Sequence, residues 1–592
     1  MNINKIVLIE PKAPGDHVYK TINMPRLGLP LLGTILKNAG YKVNILLGDS
    51  DSLSPADILS ADLVGISTTT STAPEAYRIA RYTKSKGIPV VVGGIHSTFL
   101  PEDALPHADF VIRGEAESSF LELLKAVEKE KIPEGIAGVS YWENGEMQHN
   151  LGQTCWADVN SHPVPDLTLM DDYLELSNYP VVTSRGCPFD CSFCSVTPMF
   201  GKKFRYRDNE LMLDELAQYK DKKIFFVDDN FTANKKRTKE LLQGMLDRQI
   251  LPSHWGGQVR VDVARDPELL DLMQRTNGKI AYIGLESINP ETMKSYNKSQ
   301  DVEEIKEAVR CLHDHNVAVH GMFIFGGEGD TVQTIRETVD FALDSRIDTV
   351  QFMVLVPLPG TLLYENLSAE GRLLTRDWQF YDGHHVVHYP NKMSPQQLQQ
   401  ETTHAYKRFY ATKNFLQNVL VTGGKTALYR ALGWWLIRHW EKQNQNYQYL
   451  LEKFTNPEET SVSLLGQKAK SSLAVREKTS LLNKKNLQVN VSVKKDVIYL
   501  RVKGIVNKSN LKELYQQLNQ MVPTYSYKMV VDTEGVRFAS DKAARRFSLY
   551  LNNLGGKVRR LEVFCRVEDG LHNVLEKYIP SLPRFEVLFT NR

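Results

Sequence analysis

The chain has 592 residues, 42% apolar and 24% charged; these ordinary values exclude a collagen-like, low-complexity or wholly disordered polypeptide and suggest roughly three or four domains. The formal charge of +2 leaves no nucleic-acid footprint on the whole chain, so no nucleic-acid partner is expected. No apolar run reaches ~18 residues, so no segment reads as a membrane-spanning helix, and MNINKIVLIEP lacks the basic and small-residue flanks of a secretory signal.

Residues 1–135 alternate short apolar runs with helical stretches. IVLIEP (6–11) is the first strand, GLPLLGTILKNA (28–39) a helix closed by Gly40, and VNILLG, LVGIST and PVVVGG further strands. The strands are apolar throughout, as when helices cover both faces, and the alternation predicts a doubly wound parallel sheet. Ligands of such sheets bind beyond the strands' carboxyl ends. Thr68, Thr69, Thr70, Ser71 and Thr72 follow one strand there, and Gly93, Gly94 and His96 another. Residues 136–179 read as a connector, with VSYWENGEMQ a hairpin turning at Asn144-Gly145.

Residues 180–390 repeat the pattern. PVVTS, KIFFVDD, HWGGQVR, IAYIGLES, VAVHGMFIFG and TVQFMVLVP are strand candidates. Six βα units are two short of a full barrel, so an open, partial (βα)6 barrel is expected. Residues 391–454 read as a helical extension, 455–480 as a polar linker and 481–592 as a compact α/β domain. That last domain holds 20 Lys/Arg against 10 Asp/Glu, a net +10 that leaves −8 on the rest. Its basic face is either a solvated surface or a contact for an acidic protein partner or membrane surface. Upstream, Leu428, Leu432, Trp435, Leu436 and Trp440 recur at helical spacing beside Arg430, Arg438 and Lys442. That stripe is core or, alternatively, a lipid-interface contact.

Three of six cysteines fall within SRGCPFDCSFCSV: Cys187, Cys191 and Cys194, spaced C-x3-C-x2-C directly after an apolar strand. Thiolates suit iron–sulfur clusters, and three ligands on a short loop can hold three irons of a 4Fe-4S cluster and leave the fourth open. The alternatives are a three-ligand zinc site with a borrowed fourth group, or chance clustering. A zinc ribbon needs a second C-x2-C, which the chain lacks.

This spacing after the first strand of a six-unit barrel resembles the radical S-adenosylmethionine (SAM) enzymes. The resemblance implies that the open iron chelates SAM and that reduction cleaves SAM to a 5′-deoxyadenosyl radical, which abstracts hydrogen from an inert C–H bond. It makes Asp228 and Asp229 of FFVDDNF SAM contacts, Arg260 a partner for the SAM carboxylate, Glu286 and Ser287 contacts to ribose or amino group, and Gly326 a neighbour of adenine. For each, the other reading is a buried structural polar group. PRLGLPLLGTILKNAGYKV, DLVGIST, PVVVGGIHSTFLPEDAL and FVIRGEAE resemble the cobalamin-binding domain fused ahead of many such barrels. The cobalt-ligating D-x-H-x-x-G is missing, since Asp16 and His17 are adjacent. The resemblance therefore implies cobalamin without a protein His ligand. His96 is the other candidate ligand, with a packing role as its alternative. Thr68, Thr69, Gly93 and Gly94 would meet the corrin amides and nucleotide tail.

LRVKGIVNKSN, KMVVDTEGVRFAS and KVRRLEVFC resemble a STAS domain, though Ser540-Asp541 reverses the usual order and puts Asp at the phospho-acceptor position. The expected activity is modification of an unactivated carbon of a small-molecule or lipid-like substrate, by methyl transfer, with an external electron donor. Radical oxidation or ring closure without methylation is the alternative within the class. A non-catalytic cobalamin sensor signalling through the STAS-like domain is the alternative outside it. A cytoplasmic location, peripheral to the membrane at most, is expected.

Overall fold

The computed structural model describes residues 2–12, 24–49, 52–152, 158–171, 173, 176–298, 300–411, 424–444, 447 and 451, together with Phe547 and the strands of the C-terminal segment. Asp16, His17, Cys155, residues 455–478 of the expected linker and Ser540-Asp541 lie outside the described residues, as do the side chains of Leu428 and Arg430. Met1–Thr455 is one compact unit and Asn456–Arg592 another.

The chain opens with β1 (Lys5–Pro11), β2 (Lys42–Gly48), β3 (Leu63–Ser67), β4 (Val90–Gly93), β5 (Phe110–Ile112), β6 (Val139–Glu143) and β7 (Glu146–His149), in spatial order β2-β1-β3-β4-β5-β6-β7. The first five are parallel. Val7 and Ile9 pack on one face with Ile58, Tyr77 and Ile79. Ile6 and Leu8 pack on the other with Leu29, Leu36 and Phe120. Burial on both faces is why these strands show no polar alternation. Strand order reverses between β1 and β3, so the crevice at their carboxyl ends is where such a sheet takes a ligand. Asn144 and Gly145, at φ +51° and +84°, make the expected two-residue turn. The hairpin read as part of a connector is hydrogen-bonded antiparallel to β5 and extends this sheet.

Next come β8 (Tyr179–Val181), the short β9 (Ser184–Arg185) and β10 (Arg205–Tyr206), then β11 (Lys223–Phe226), β12 (His254–Val259), β13 (Gly278–Glu286), β14 (Ala318–Phe325) and β15 (Thr349–Val354). All six predicted strands are present, parallel, in order β8-β11-β12-β13-β14-β15. Along β14, Val319, Gly321, Phe323 and Phe325 are buried, while Ala318, His320, Met322 and Ile324 are half-buried on the inner face. The helix Pro395–Phe409 covers the β15 edge. The Tyr406 hydroxyl accepts from Phe352 N (3.0 Å), and the Tyr410 hydroxyl accepts from Val350 N (3.0 Å) and donates to Val350 O (2.8 Å). Those bonds occupy backbone groups that a seventh strand would use.

The Trp-rich helix Gly424–Gln443 buries Ile437 and Trp440 but leaves Leu432 and Trp435 43% and 52% exposed, so the core reading holds for one face of it. The second unit contains β16 (Thr479–Lys484), β17 (Leu487–Lys494), β18 (Val497–Val506), β19 (Lys528–Asp532), β20 (Val536–Phe538), β21 (Arg560–Arg566) and β22 (Phe585–Thr590). Its order is β16-β17-β18-β19-β21-β22, with β20 also on β18. The first three are antiparallel and the rest parallel. No described helix is long and apolar enough to cross a membrane.

Candidate active site

At the carboxyl edge of the first sheet, the turns after β3 and β4 are stitched together. Thr68 N and Oγ1 each donate to Gly93 O at 2.8 Å, and Thr69 and Thr72 form a reciprocal cap. Gly94 adopts φ +97°, and a Cβ there would lie 2.4 Å from Thr68 O. Only glycine fits that approach. Gly93 differs: a Cβ on it would meet only Ile112 O, at 3.7 Å. Half-buried Ser67, Thr69 and Gly93 thus leave an edge of small residues. His96 follows that edge in the next turn. Its side chain is fully enclosed, and Nε2 lies 3.2 Å from Asp103 Oδ2, which also accepts from Tyr77 and Trp378. Nε2 is held in a packing contact, while Nδ1 has no hydrogen-bond partner among the described residues.

The cysteine loop starts and ends on a ribbon, β9 against β10. Gly186, at φ +82°, brings the two ends close; a Cβ there would sit 2.9 Å from Lys203 O. The loop is pinned by Ser192 N to Tyr296 O (3.1 Å), Asn297 Nδ2 to Asp190 O (2.8 Å) and Leu363 N to Ser192 O (3.0 Å). Phe193 packs edge-on against Tyr296 at 5.0 Å. The three cysteines are half-buried and unbridged. Burial pushes all three thiols up, Cys194 to about 12. Iron replacing those protons would remove the penalty, so the donor set fits a cluster. Among the described residues no three His, Cys, Asp or Glu side chains stand at metal-binding spacing.

Asp229, Arg260 and Glu286 lie close enough to bear on the charge of these thiols. Asp229 is open to water yet walled in on most sides. That crowding, with Asp228 adjacent, raises its carboxyl to about 7. The Arg260 guanidinium stacks 3.8 Å over Phe189 of the loop. Glu286 is buried at φ +57°, where β13 ends in a bulge. Asp228 and Ser287 are hydrogen-bonded within the protein, and Gly326 sits in a tight backbone position. Asp228 accepts from Thr183 N, Thr183 Oγ1 and Ser184 Oγ, tying the end of β8 to that of β11. Ser287 Oγ accepts from Asn289 N (3.0 Å). Gly326, at φ +100°, is hemmed in by Leu398 and His388.

Sequence reasoning missed Lys298. Its ammonium is buried and donates to Glu286 Oε1 (2.6 Å) and Gly284 O (2.7 Å). Gln300 Nε2 donates to Leu285 O (2.7 Å) from the same turn. YNKSQD carries no periodicity or motif that marks either residue.

The radical SAM superfamily model matches residues 181–342 and the B12 binding domain model residues 21–124. An uncharacterized methyltransferase of Pyrococcus horikoshii is 33% identical over 69% of this chain and 93% of its own length. A bacteriochlorophyllide d C-12(1)-methyltransferase of Chlorobaculum tepidum is 30% identical over 67% and 84%. Among solved structures, the radical SAM methyltransferase TsrM of Kitasatospora setae, with cobalamin and a [4Fe-4S] cluster bound, superposes with TM-score 0.57 over 74% of this chain and 99% of that one, at 16% identity. The cofactors are accordingly a 4Fe-4S cluster, SAM and cobalamin. Both domains, in this order and over nearly the whole length of a relative at 33% identity, mean that the chain belongs to the radical SAM enzymes that carry a cobalamin-binding domain.

Proposed function

We propose that this enzyme transfers a methyl group from SAM to an unactivated carbon of an apolar, ring-built small molecule. The observation that carries the reading is the pair of relatives whose names state methyl transfer, matched over 93% and 84% of their lengths. The cluster, when bound, supplies the electron that cleaves SAM, and cobalamin supplies the methyl carrier. Asp229, Arg260 and Glu286 with Lys298 would bind SAM at the cysteine loop, and Asp228, Ser287 and Gly326 would shape the strand ends behind it. Thr68, Thr69, Gly93 and Gly94 would hold cobalamin, with His96 packed beside that edge against Asp103. The half-buried inner face, with Phe225, Tyr282, Met322, Ile324 and Met353, suits a flat apolar substrate. Relatives named for a bacteriochlorophyllide and a hopanoid support that class. Exposed Leu432 and Trp435, with Arg438 and Lys442 on the same helix, support approach to a lipid surface by an otherwise cytoplasmic enzyme.

The test is anaerobic incubation with methyl-deuterated SAM, a reductant, and tetrapyrrole and hopanoid acceptors. A trideuteromethyl gain on an acceptor carbon is expected. A second reading, ring closure without methylation, is favoured by one observation: a 26% identical relative from Rubrivivax gelatinosus is an anaerobic magnesium-protoporphyrin IX monomethyl ester cyclase. An acceptor that loses hydrogen and gains no label would select it.

A further inference from the structure

Two arginines stand opposite each other at the base of the cluster loop. Arg185 on β9 pairs across the ribbon with Arg205 on β10, and like charges at that spacing repel. Arg185 immediately precedes Gly186 and Cys187, so whatever fixes this pair fixes the loop's base.

Neutralising charge comes from the other domain. Glu115 Oε1 accepts from Arg185 Nη1 (3.0 Å) and Arg205 Nη2 (2.7 Å), and Oε2 accepts from Arg205 Nη1 (3.0 Å). Glu117 accepts from Arg185 Nη2 (2.5 Å). The group is dry: the Glu115 side chain is 2% exposed, Arg205 8% and Arg185 16%. Burial alone would raise the Glu115 carboxyl, but the two guanidiniums more than offset this and hold it below its ordinary range.

Glu115 is also tied to the cobalamin edge. It lies three residues past the end of β5, the neighbour of β4. Its predecessor Gly114 donates N–H to Thr98 Oγ1 (3.0 Å), and Thr98 Oγ1 donates to Gly94 O (2.8 Å). Two hydrogen bonds therefore lead from Gly94 through Thr98 to Gly114, the backbone continues to Glu115, and its carboxylate bonds lead on to the ribbon that carries the three cysteines. Such a charged group, bought from water at the cost of desolvation, adds little net stability, but it fixes geometry through its bidentate pairing.

We propose that Glu115 is a positioning residue that holds the cluster loop in register with the cobalamin-binding edge. The proposal rests on the cofactor assignment above. Its test is the dipolar coupling between Co(II) of bound cobalamin and the reduced cluster, read by pulsed electron paramagnetic resonance in the full chain. Wild type is expected to give one resolved coupling. Glu115→Ala should keep its iron and cobalamin while that coupling is lost or spread, and Glu115→Gln, which retains hydrogen bonding, should recover part of it. Wild-type coupling in a Glu115→Ala protein that holds both cofactors would overturn the proposal. So would loss of fold and cofactors together in both variants, because that is a stability role alone. A wild-type protein that takes up neither cofactor after reconstitution would refute the cofactor assignment instead.

Discussion

Glu286 occupies a left-handed backbone position, φ +57°, at the end of β13, a conformation that costs a non-glycine residue about 1–2 kcal/mol. The Lys298 ammonium, donating to both the Glu286 carboxylate and Gly284 O, holds it there. Lys298→Met would strand a buried carboxylate, a loss of about 3–5 kcal/mol when one partner of a buried pair is removed. A lower urea midpoint with an unchanged slope is expected, together with weaker SAM binding by calorimetry; an unchanged midpoint would refute the pairing's role. Changing Cys187, Cys191 or Cys194 to Ala should abolish the cluster, checked by iron and sulfide content, since three thiolates are the minimal set that leaves one iron open. These cysteines are legible in the sequence because their chemistry is local: one short loop holds all three. Lys298 is not, because its meaning arises only when a turn folds over a bulge. The same logic separates Asp229, which stays near the thiols, from Asp228, which its neighbours Thr183 and Ser184 consume.

At the scale of elements, the turn after β4 is held by contact between backbones. Gly94→Ala would place a methyl 2.4 Å from Thr68 O at φ +97°. A loss of about 2 kcal/mol or more is expected, with cobalamin affinity falling alongside Tm; a variant with wild-type affinity would show the edge to be tolerant. A second element-level device ties the Trp-rich helix to the barrel. His385 Nδ1 lies 2.9 Å from Asp382 Oδ2 and Nε2 3.0 Å from Asn444 Oδ1, an arrangement of two acceptors that favours the imidazolium. Burial alone would lower the His385 value, but Asp382 raises it above the ordinary one, and His385 in turn holds Asp382 well below the carboxylate range. The raised histidine contributes below its unfolded value of about 6.5 and is lost as pH climbs through the higher folded value. The depressed aspartate contributes above about 4 and is lost only in stronger acid. Hydrogen-exchange protection of residues 431–444 should therefore fall, relative to β13 and β14, as pH rises above the ordinary histidine range, after correction for intrinsic rates. Protection that does not change with rising pH would refute this. Four of the five parallel strands of the first sheet and all six of the barrel were readable from their apolar runs, while the three-residue β5 was not. The β6–β7 hairpin was readable as a hairpin but not as part of the first sheet, because its alternating sequence matches any edge position.

For the whole molecule, every candidate cofactor residue lies within Met1–Thr455, and the basic C-terminal segment forms a separate unit. A protein ending at residue 455 should stay folded and still release 5′-deoxyadenosine from SAM under reduction. Failure to do so while binding cluster and cobalamin would place the last unit at the active site. The contacts that join the cobalamin domain to the barrel were the least legible. Glu115 with Arg185 and Arg205, and Asp103 with Trp378, pair residues 70, 90 and 275 positions apart, and no periodicity links them. The central claim is that this architecture methylates carbon, and product counting tests it most directly. With methyl-deuterated SAM and a turned-over acceptor, S-adenosylhomocysteine, 5′-deoxyadenosine and trideuteromethylated product should accumulate in equal amounts; 5′-deoxyadenosine accumulating with an altered, unlabelled acceptor and no S-adenosylhomocysteine would contradict it.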